Sequence, residues 1–593
     1  MKLDILDTTL RDGRQCAGVS FSPEEMLAVV HELDALGVTY IEAGDFDAGG
    51  AELDRLRRAA AEPLKNARVV AFGSTRRPKT RAEDDKTLLA AAQLGVRTVS
   101  IYGKAWTRHV ADVLGTTPEE NLAMIADTVG FFVRRGVEVL FDAEHFFDGY
   151  ADNARYALDA VGAALDAGAS AVILCDTNGG MLPDSVAVAV GGARARFPHA
   201  KLGIHCHNDL GMAVACTVAA VTEGCCHVQG TISGVGERCG NANLCTLLPL
   251  LELKLGFTTV GRDNLRSLSR RARRITELEN RSFDEHEPFV GAFAFAHKAG
   301  SHIDAALKSQ RATQQIDPAD VGGERTFLIS GLSGRAAVRE LVADCRRIFD
   351  ADGRGTKGGL KTSACGGEPV CDASASACGD SPAQISAPAC GTITSADIGA
   401  PEHDAGMPAC AAASASCGKC SAPPDKYSPE VEAVLARLKA SEAAGYTYEN
   451  AEASALLLAA DALGLRRTPF SVLAYTVSDT GGARGRSVTA TVKLEVGGVT
   501  ELTAGEGNGP VNALDAAMRR ALARFWPELA AVRLSDYRVR VLDGAAATGA
   551  VVRVLIETTD GAEVWRTVGV SEDIIEASIL ALTDAFEWYV GRR

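Results

Sequence analysis

The sequence predicts an α/β protein: a (β/α)8 TIM barrel, then a helical lid or linker region, then a C-terminal α+β domain of repeated ββα units. Three observations predict it. Short β-rich runs alternate with amphipathic helical runs, the pattern of parallel strands joined by right-handed crossovers. Eight such runs fall within about 250 residues, the size of one barrel. Nearly every strand candidate ends in polar or ionisable residues, as the C-terminal rim of a barrel does. An open doubly wound sheet is the alternative. On this reading the barrel spans 1–258, the lid or linker 259–350, an insert 351–425 and the C-terminal domain 426–593.

The elements follow in order. KLDILDTT (2–9) is the first strand, and SPEEMLAVVHELDALG (22–37) the first helix, with Ser22 as cap, Pro23 at its first position and Glu25 three residues after the cap. VTYIEAG, RVVAFGS, VRTVSIYG, VEVLFDAE, AVILCDTNGG, KLGIHCHND and HVQGTISG supply the other seven strands. The runs at 118–136, 153–168 and 212–224 carry apolar residues at helical spacing and end in glycine. Strand ends then place Asp7, Arg11, Asp12, Glu42, Tyr102, Lys104, Asp142, Glu144, Asp176, Thr177, His205, His207, Asp209, Arg238 and Asn241 at one rim. Residues 259–349 are mainly helical and include His297 and His302. They form either a lid over the barrel mouth or plain packing helices.

Residues 351–425 are Ala, Ser, Gly, Pro and Cys without aromatic residues or periodicity, the composition of a disordered insert. Its Cys417 and Cys420 form a lone CxxC, which is either a metal or redox pair or part of a tolerated linker. After it come two helices (428–445 and 449–464) and two blocks, read as strand–strand–helix and strand–strand–strand–helix. Gly505, Gly507 and Gly509 precede the helix of the first block, either as an anion-binding loop or as a simple turn.

Composition narrows the function classes. A chain of 593 residues implies three or four domains at roughly 100–200 residues each. A net charge of −15 without basic clusters excludes nucleic acid and anionic membrane surfaces as partners. The N-terminus lacks a secretory apolar core, and no run of about 18 apolar residues occurs, so a cytoplasmic location is expected. The 16 cysteines of so large a chain without a secretion signal are expected as thiols.

The stretch KLGIHCHNDL carries the sharpest chemistry. His205 and His207 are two apart at a strand end and so point to one side. Paired imidazoles suit a divalent metal, and two surface histidines are the plain alternative.

LDTTLRDGRQ, IHCHND and GVGERCGNANL resemble the alpha-isopropylmalate, homocitrate and citramalate synthases. GNGPVNALDAAMRRAL and WRTVGVSEDIIEAS resemble the allosteric, dimerising C-terminal domain of the isopropylmalate and citramalate members. AFGSTRRP, DAEHFFDGY, LCDTNGGMLP and ISGLSGRAAV are most similar to the citramalate branch. The resemblance implies condensation of acetyl-CoA with a 2-oxo acid and hydrolysis of the thioester, with 2-oxoisovalerate as the alternative oxo acid to pyruvate, or a non-catalytic amino-acid-binding paralogue. It implies a divalent cation (Zn, Mn, Mg or Co) held by Asp12, His205, His207 and Asn241. It implies catalytic roles for Arg11, Glu144 and His302, with Arg11, Gln15 and Thr177 facing substrate. It also implies a homodimer and a branched-chain amino-acid effector. Two departures stand out: Thr313 occupies the place of a usual tyrosine before IDP, and EAGDFDAGG lacks the family's proline-containing segment.

Overall fold

The computed structural model describes residues 1–309, 313–330, 334–349, 424–482, 485–542, 550–561 and 563–592. All but the last two residues of the expected insert, its CxxC included, lie outside the described residues. The chain divides into two compact units, Met1–Ala337 with Thr447–Asn450, and Val338–Tyr446 with Ala451–Arg593. Among the described residues no helix is long and apolar enough to cross a membrane.

In the first unit all eight expected strands form: β1 (Asp4–Asp7), β2 (Tyr40–Asp45), β3 (Arg68–Ser74), β4 (Thr98–Lys104), β5 (Glu138–Glu144), β6 (Ala171–Asp176), β7 (Leu202–Cys206) and β8 (His227–Gly230). They pair in sequence order, all parallel, and β8 closes on β1 with Asp4 opposite His227. Closure excludes the open sheet. Leu6, Tyr40, Val70, Leu140, Ala171, Ile173 and Cys175 fill the barrel interior. The outer faces pack on the surrounding helices, so both faces of each strand are buried, as a parallel sheet requires.

Local chemistry sets the element ends. The first helix, Pro23–Leu36, begins with the expected capping box: Ser22 accepts from the Glu25 amide and Glu25 accepts from the Ser22 amide. It stops at Gly37, whose φ of 90° a side chain would strain. The helix expected from residue 153 begins earlier, at Phe146, and Asn153 interrupts it with φ −149° and ψ 82°. That irregular residue is where the helical periodicity becomes visible in the sequence. Gly73 on β3 is required by packing, because a Cβ there would lie 2.1 Å from the Phe46 ring.

In the second unit the helices Pro429–Ala443 and Glu452–Ala462 precede two three-stranded antiparallel sheets. The first is β9 (Ser471–Gly482), β10 (Gly485–Val496) and β11 (Val499–Gly507), followed by the helix Pro510–Leu522. The second is β12 (Arg533–Val541), β13 (Val552–Thr559) and β14 (Val564–Ser571), followed by Ile574–Gly591. Both blocks are therefore strand–strand–strand–helix, and the sequence reading lacked β9.

The repeat extends to atoms. Thr503 and Thr567 each donate a side-chain hydrogen bond, 2.7 Å long, to Ala517 and Ala581 of the following helix. Gly505 and Gly569 sit at the same offset, and a Cβ on either would meet helix backbone at 2.5 or 2.0 Å. Gly505 and Gly507 thus belong to β11, where they admit the helix, and do not form an anion loop.

Candidate active site

The strand ends converge as a barrel dictates. Asp12 follows β1, with its amide donating to the Thr8 hydroxyl at 3.2 Å, and Thr8 donates in turn to Glu42 of β2 at 2.6 Å. His205 lies on β7, and His207 just beyond it bridges to Asn241. The Nε2 atoms of both histidines stand 3.4 Å from Asp12 Oδ2. Asn241 donates from Nδ2 to the same oxygen at 3.0 Å. Tight glycine turns put Asn241 there: a Cβ on Gly236 would lie 1.8 Å from its Oδ1, and Gly240 holds φ 91°.

These four residues fit a divalent cation. One donor atom each from Asp12, His205 and His207 lies within 4.8 Å of the others, and all three residues are buried. Asp12 Oδ1 and Asn241 Oδ1 are buried without a hydrogen-bond partner, which is costly unless a cation satisfies them. The donor set of carboxylate, imidazole and amide oxygen suits a borderline or hard divalent ion. Burial pushes the Asp12 carboxyl up, yet the Arg11 charge beside it, with the two neighbouring imidazoles, outweighs burial and holds it well below the usual carboxylate range.

A second layer orients this cluster. Gln229 of β8 donates from Nε2 to Asp142 at 3.1 Å, so its Oε1, 2.8 Å from His205 Nδ1, must accept. That leaves the His205 Nε2 lone pair toward Asp12. Asp142 is raised to about 7 by burial, with the Glu42 charge adding. Arg11 donates to Glu42 at 2.6 Å, stands 3.5 Å from Asp12 and lies 3.9 Å over the Phe72 ring. Arg238, in the left-handed region at φ 56°, reaches His207 Nδ1, Asp209 and the Thr177 carbonyl.

Above the cluster is a polar cavity of about 230 Å³. Arg11, Asp12, His205, His207, Gln15, Thr177 and Glu144 all line it. Thr177 also accepts from the His145 amide at 2.9 Å. His302 is brought elsewhere: it is exposed on the helix Gly300–Lys308 and does not line the cavity. Glu144 pairs instead with Lys104, the neighbouring strand-end residue. Sequence reasoning placed Lys104, Asp142 and Arg238 at the rim without roles and missed Gln229. Period-two alternation on β8, which gives Gln229 the same face as His227, was the available signal.

Comparisons with known proteins agree with this architecture. Residues 2–271 match the HMGL-like family, 289–351 the homocitrate synthase post-HMGL domain-like family, and 449–590 the LeuA allosteric (dimerisation) domain. The chain is 40% identical to an (R)-citramalate synthase of Aquifex aeolicus over 98% of this chain and 97% of that one. It is 38% identical to those of Synechocystis sp. and Streptomyces coelicolor, covering 98% of this chain and 95% and 96% of theirs. With barrel and C-terminal domain matched together, end to end, the chain belongs to the (R)-citramalate synthase family.

Proposed function

We propose that the protein is an acyltransferase that condenses acetyl-CoA with pyruvate and hydrolyses the thioester to give (R)-citramalate and CoA, in isoleucine biosynthesis. The observation that carries this reading is the buried Asp12–His205–His207–Asn241 cluster opening onto a small polar cavity beside Arg11. A divalent cation bound by those four residues supplies Lewis acidity toward the carboxylate and ketone oxygens of the oxo acid. Arg11, fixed by Glu42, balances the charge that develops on the ketone oxygen. Gln15 and Thr177 position the oxo acid. Glu144 and His302 handle protons, with His302 reaching the cavity of a second copy of the chain, since it is remote from its own.

Cavity chemistry favours pyruvate over 2-oxoisovalerate. An isopropyl group needs apolar wall, and Asp45, Asp142, Glu144 and Lys104 make much of this one polar. Of the stacked rings Phe72 and Tyr102, Phe72 is covered by Arg11. The test is acetyl-CoA-dependent thiol release with each oxo acid, before and after chelation and metal return, against a control without oxo acid. Chelator-sensitive turnover with pyruvate is expected, and His207→Ala abolishes it. Preference for 2-oxoisovalerate moves the protein to 2-isopropylmalate synthesis, and silence with both, in folded metal-loaded protein, favours another oxo acid or the non-catalytic reading.

A branched-chain amino acid is the proposed effector. A cavity of about 420 Å³ between the helix Pro510–Leu522 and β12 offers Asn512, Asp515, Arg519 and Tyr537 for a zwitterion beside Val532 and Leu534 for its side chain.

A further inference from the structure

The two ends of the reaction need opposite sides of the cavity. In the closed order of strands, β4 and β5 lie across the barrel from β8 and β1, where Asp12 and Asn241 stand. An oxo acid held at Asp12, His205 and His207 therefore meets the thioester methyl group arriving from the β4–β5 side. Lys104 and Glu144, the last residues of those strands and partners in register, face it there.

Lys104 is built into that wall. Its side chain is only 12% exposed. Its carbonyl accepts from Asn121 at 2.8 Å, and its Nζ stands 5.4 Å from the centroid of the Tyr102 ring. Glu144 is its one acceptor among the described residues, so of the three N–H groups of an ammonium two remain for a ligand. The other cation lining the cavity, Arg11, is tied to Glu42 and Asp12 on the far side.

We propose that Lys104 is a catalytic residue whose ammonium donates to the thioester oxygen of the acyl-CoA and stabilises its enolate. The inference rests on the condensation reading above. The step balances without a further reagent. One methyl proton goes to Glu144. The C–H electron pair becomes the C=C bond, and the carbonyl π pair moves onto the thioester oxygen, beside Lys104 Nζ. When the enolate carbon attacks the ketone carbon, the carbonyl re-forms, one C–C bond is made, and the ketone π pair moves to its own oxygen, which takes a proton from water while Glu144 returns the methyl proton to solvent. Proton transfer moves the negative charge from the Glu144 carboxylate to the thioester oxygen, a far stronger base, and that charge is costly without a counter-ion. The cation between them removes that penalty.

The test compares wild type, Lys104→Gln and Lys104→Arg in the full chain. Gln keeps a donor toward Glu144 without charge, and Arg keeps the charge. Enolisation is read alone as deuterium entering the acetyl-CoA methyl group from D2O, with oxamate standing in for the oxo acid; kcat and KM are read with pyruvate. Lys104→Gln is expected to lower both deuterium entry and kcat by about 100–1000-fold, with KM for pyruvate within about threefold. Lys104→Arg is expected to stay within about tenfold of wild type, and metal titration is expected to match in all three proteins, showing an intact barrel. Deuterium entry in Lys104→Gln close to wild type overturns the proposal, as does an Arg variant as slow as the Gln variant. A raised KM for pyruvate with unchanged deuterium entry places Lys104 on the oxo acid and also overturns it. Wild-type protein silent with every oxo acid refutes the condensation reading itself, and this inference with it.

Discussion

At the scale of single residues, the site is a chain of hydrogen bonds that sets the orientation of its histidines. Asp142 fixes the Gln229 amide, the amide fixes which nitrogen of His205 carries the proton, and that leaves the other nitrogen for the cluster. Gln229→Leu removes the acceptor and leaves the His205 N–H and Asp142 buried without it, a change costly at both ends. We expect divalent metal to bind about 10–100-fold more weakly, measured by calorimetric titration of chelated protein. Unchanged affinity would show that strand β7 alone orients the ring. His205 and His207 were legible in the sequence because spacing by two at a strand end shows as a pattern, whereas Asp12 was named from resemblance. Gln229 was not, because one inward amide on a short strand has no chemical signature until the barrel closes around it. His302 was named from resemblance, and its exposed place on the helix Gly300–Lys308, outside the cavity lining, is something no motif encodes.

At the scale of elements, periodicity found what was amphipathic and overlooked what was not. All eight barrel strands and four of the helices between them were visible. β9 was not: Leu473 and Tyr475 are exposed, and its partners are backbone groups of β10, so no apolar alternation marks it. The glycines of β11 looked like a loop because glycine is common in turns, whereas here each is an absence of side chain where a helix crosses. Gly505→Ala forces a methyl against the Ala517 amide nitrogen at 2.5 Å. Backbone cannot move aside cheaply, so a loss of about 1–3 kcal/mol is expected. Thermal unfolding of the full chain, with amide hydrogen exchange over residues 510–522, checks it; unchanged protection there would refute the close-packing role.

At the scale of the whole molecule, a condensing barrel and an allosteric-type domain share one chain, and each keeps its own cavity. The feedback proposed for a branched-chain amino acid belongs to the second. An ammonium group needs a buried or half-buried carboxylate, and Asp515 is the acid lining that cavity, 2.7 Å from Arg519. Asp515→Asn is expected to keep turnover in the absence of effector and to raise the inhibitory concentration of isoleucine or leucine by about 10-fold or more, the size of one lost charge-assisted hydrogen bond. Inhibition curves measured at fixed pyruvate decide it, and an unshifted curve places the effector elsewhere.

The sequence by itself determined the barrel, the order of its strands and the family, because strand and helix periods, caps and short motifs are local properties of the chain. Only the tertiary structure decided which residues meet. It set Gln229 beneath His205, gave Glu144 to Lys104, held His302 out of its own cavity and turned a glycine run into a packing surface. The first two are contacts between residues 24 and 40 positions apart, and they exist only once the closed sheet fixes which strand ends share the rim.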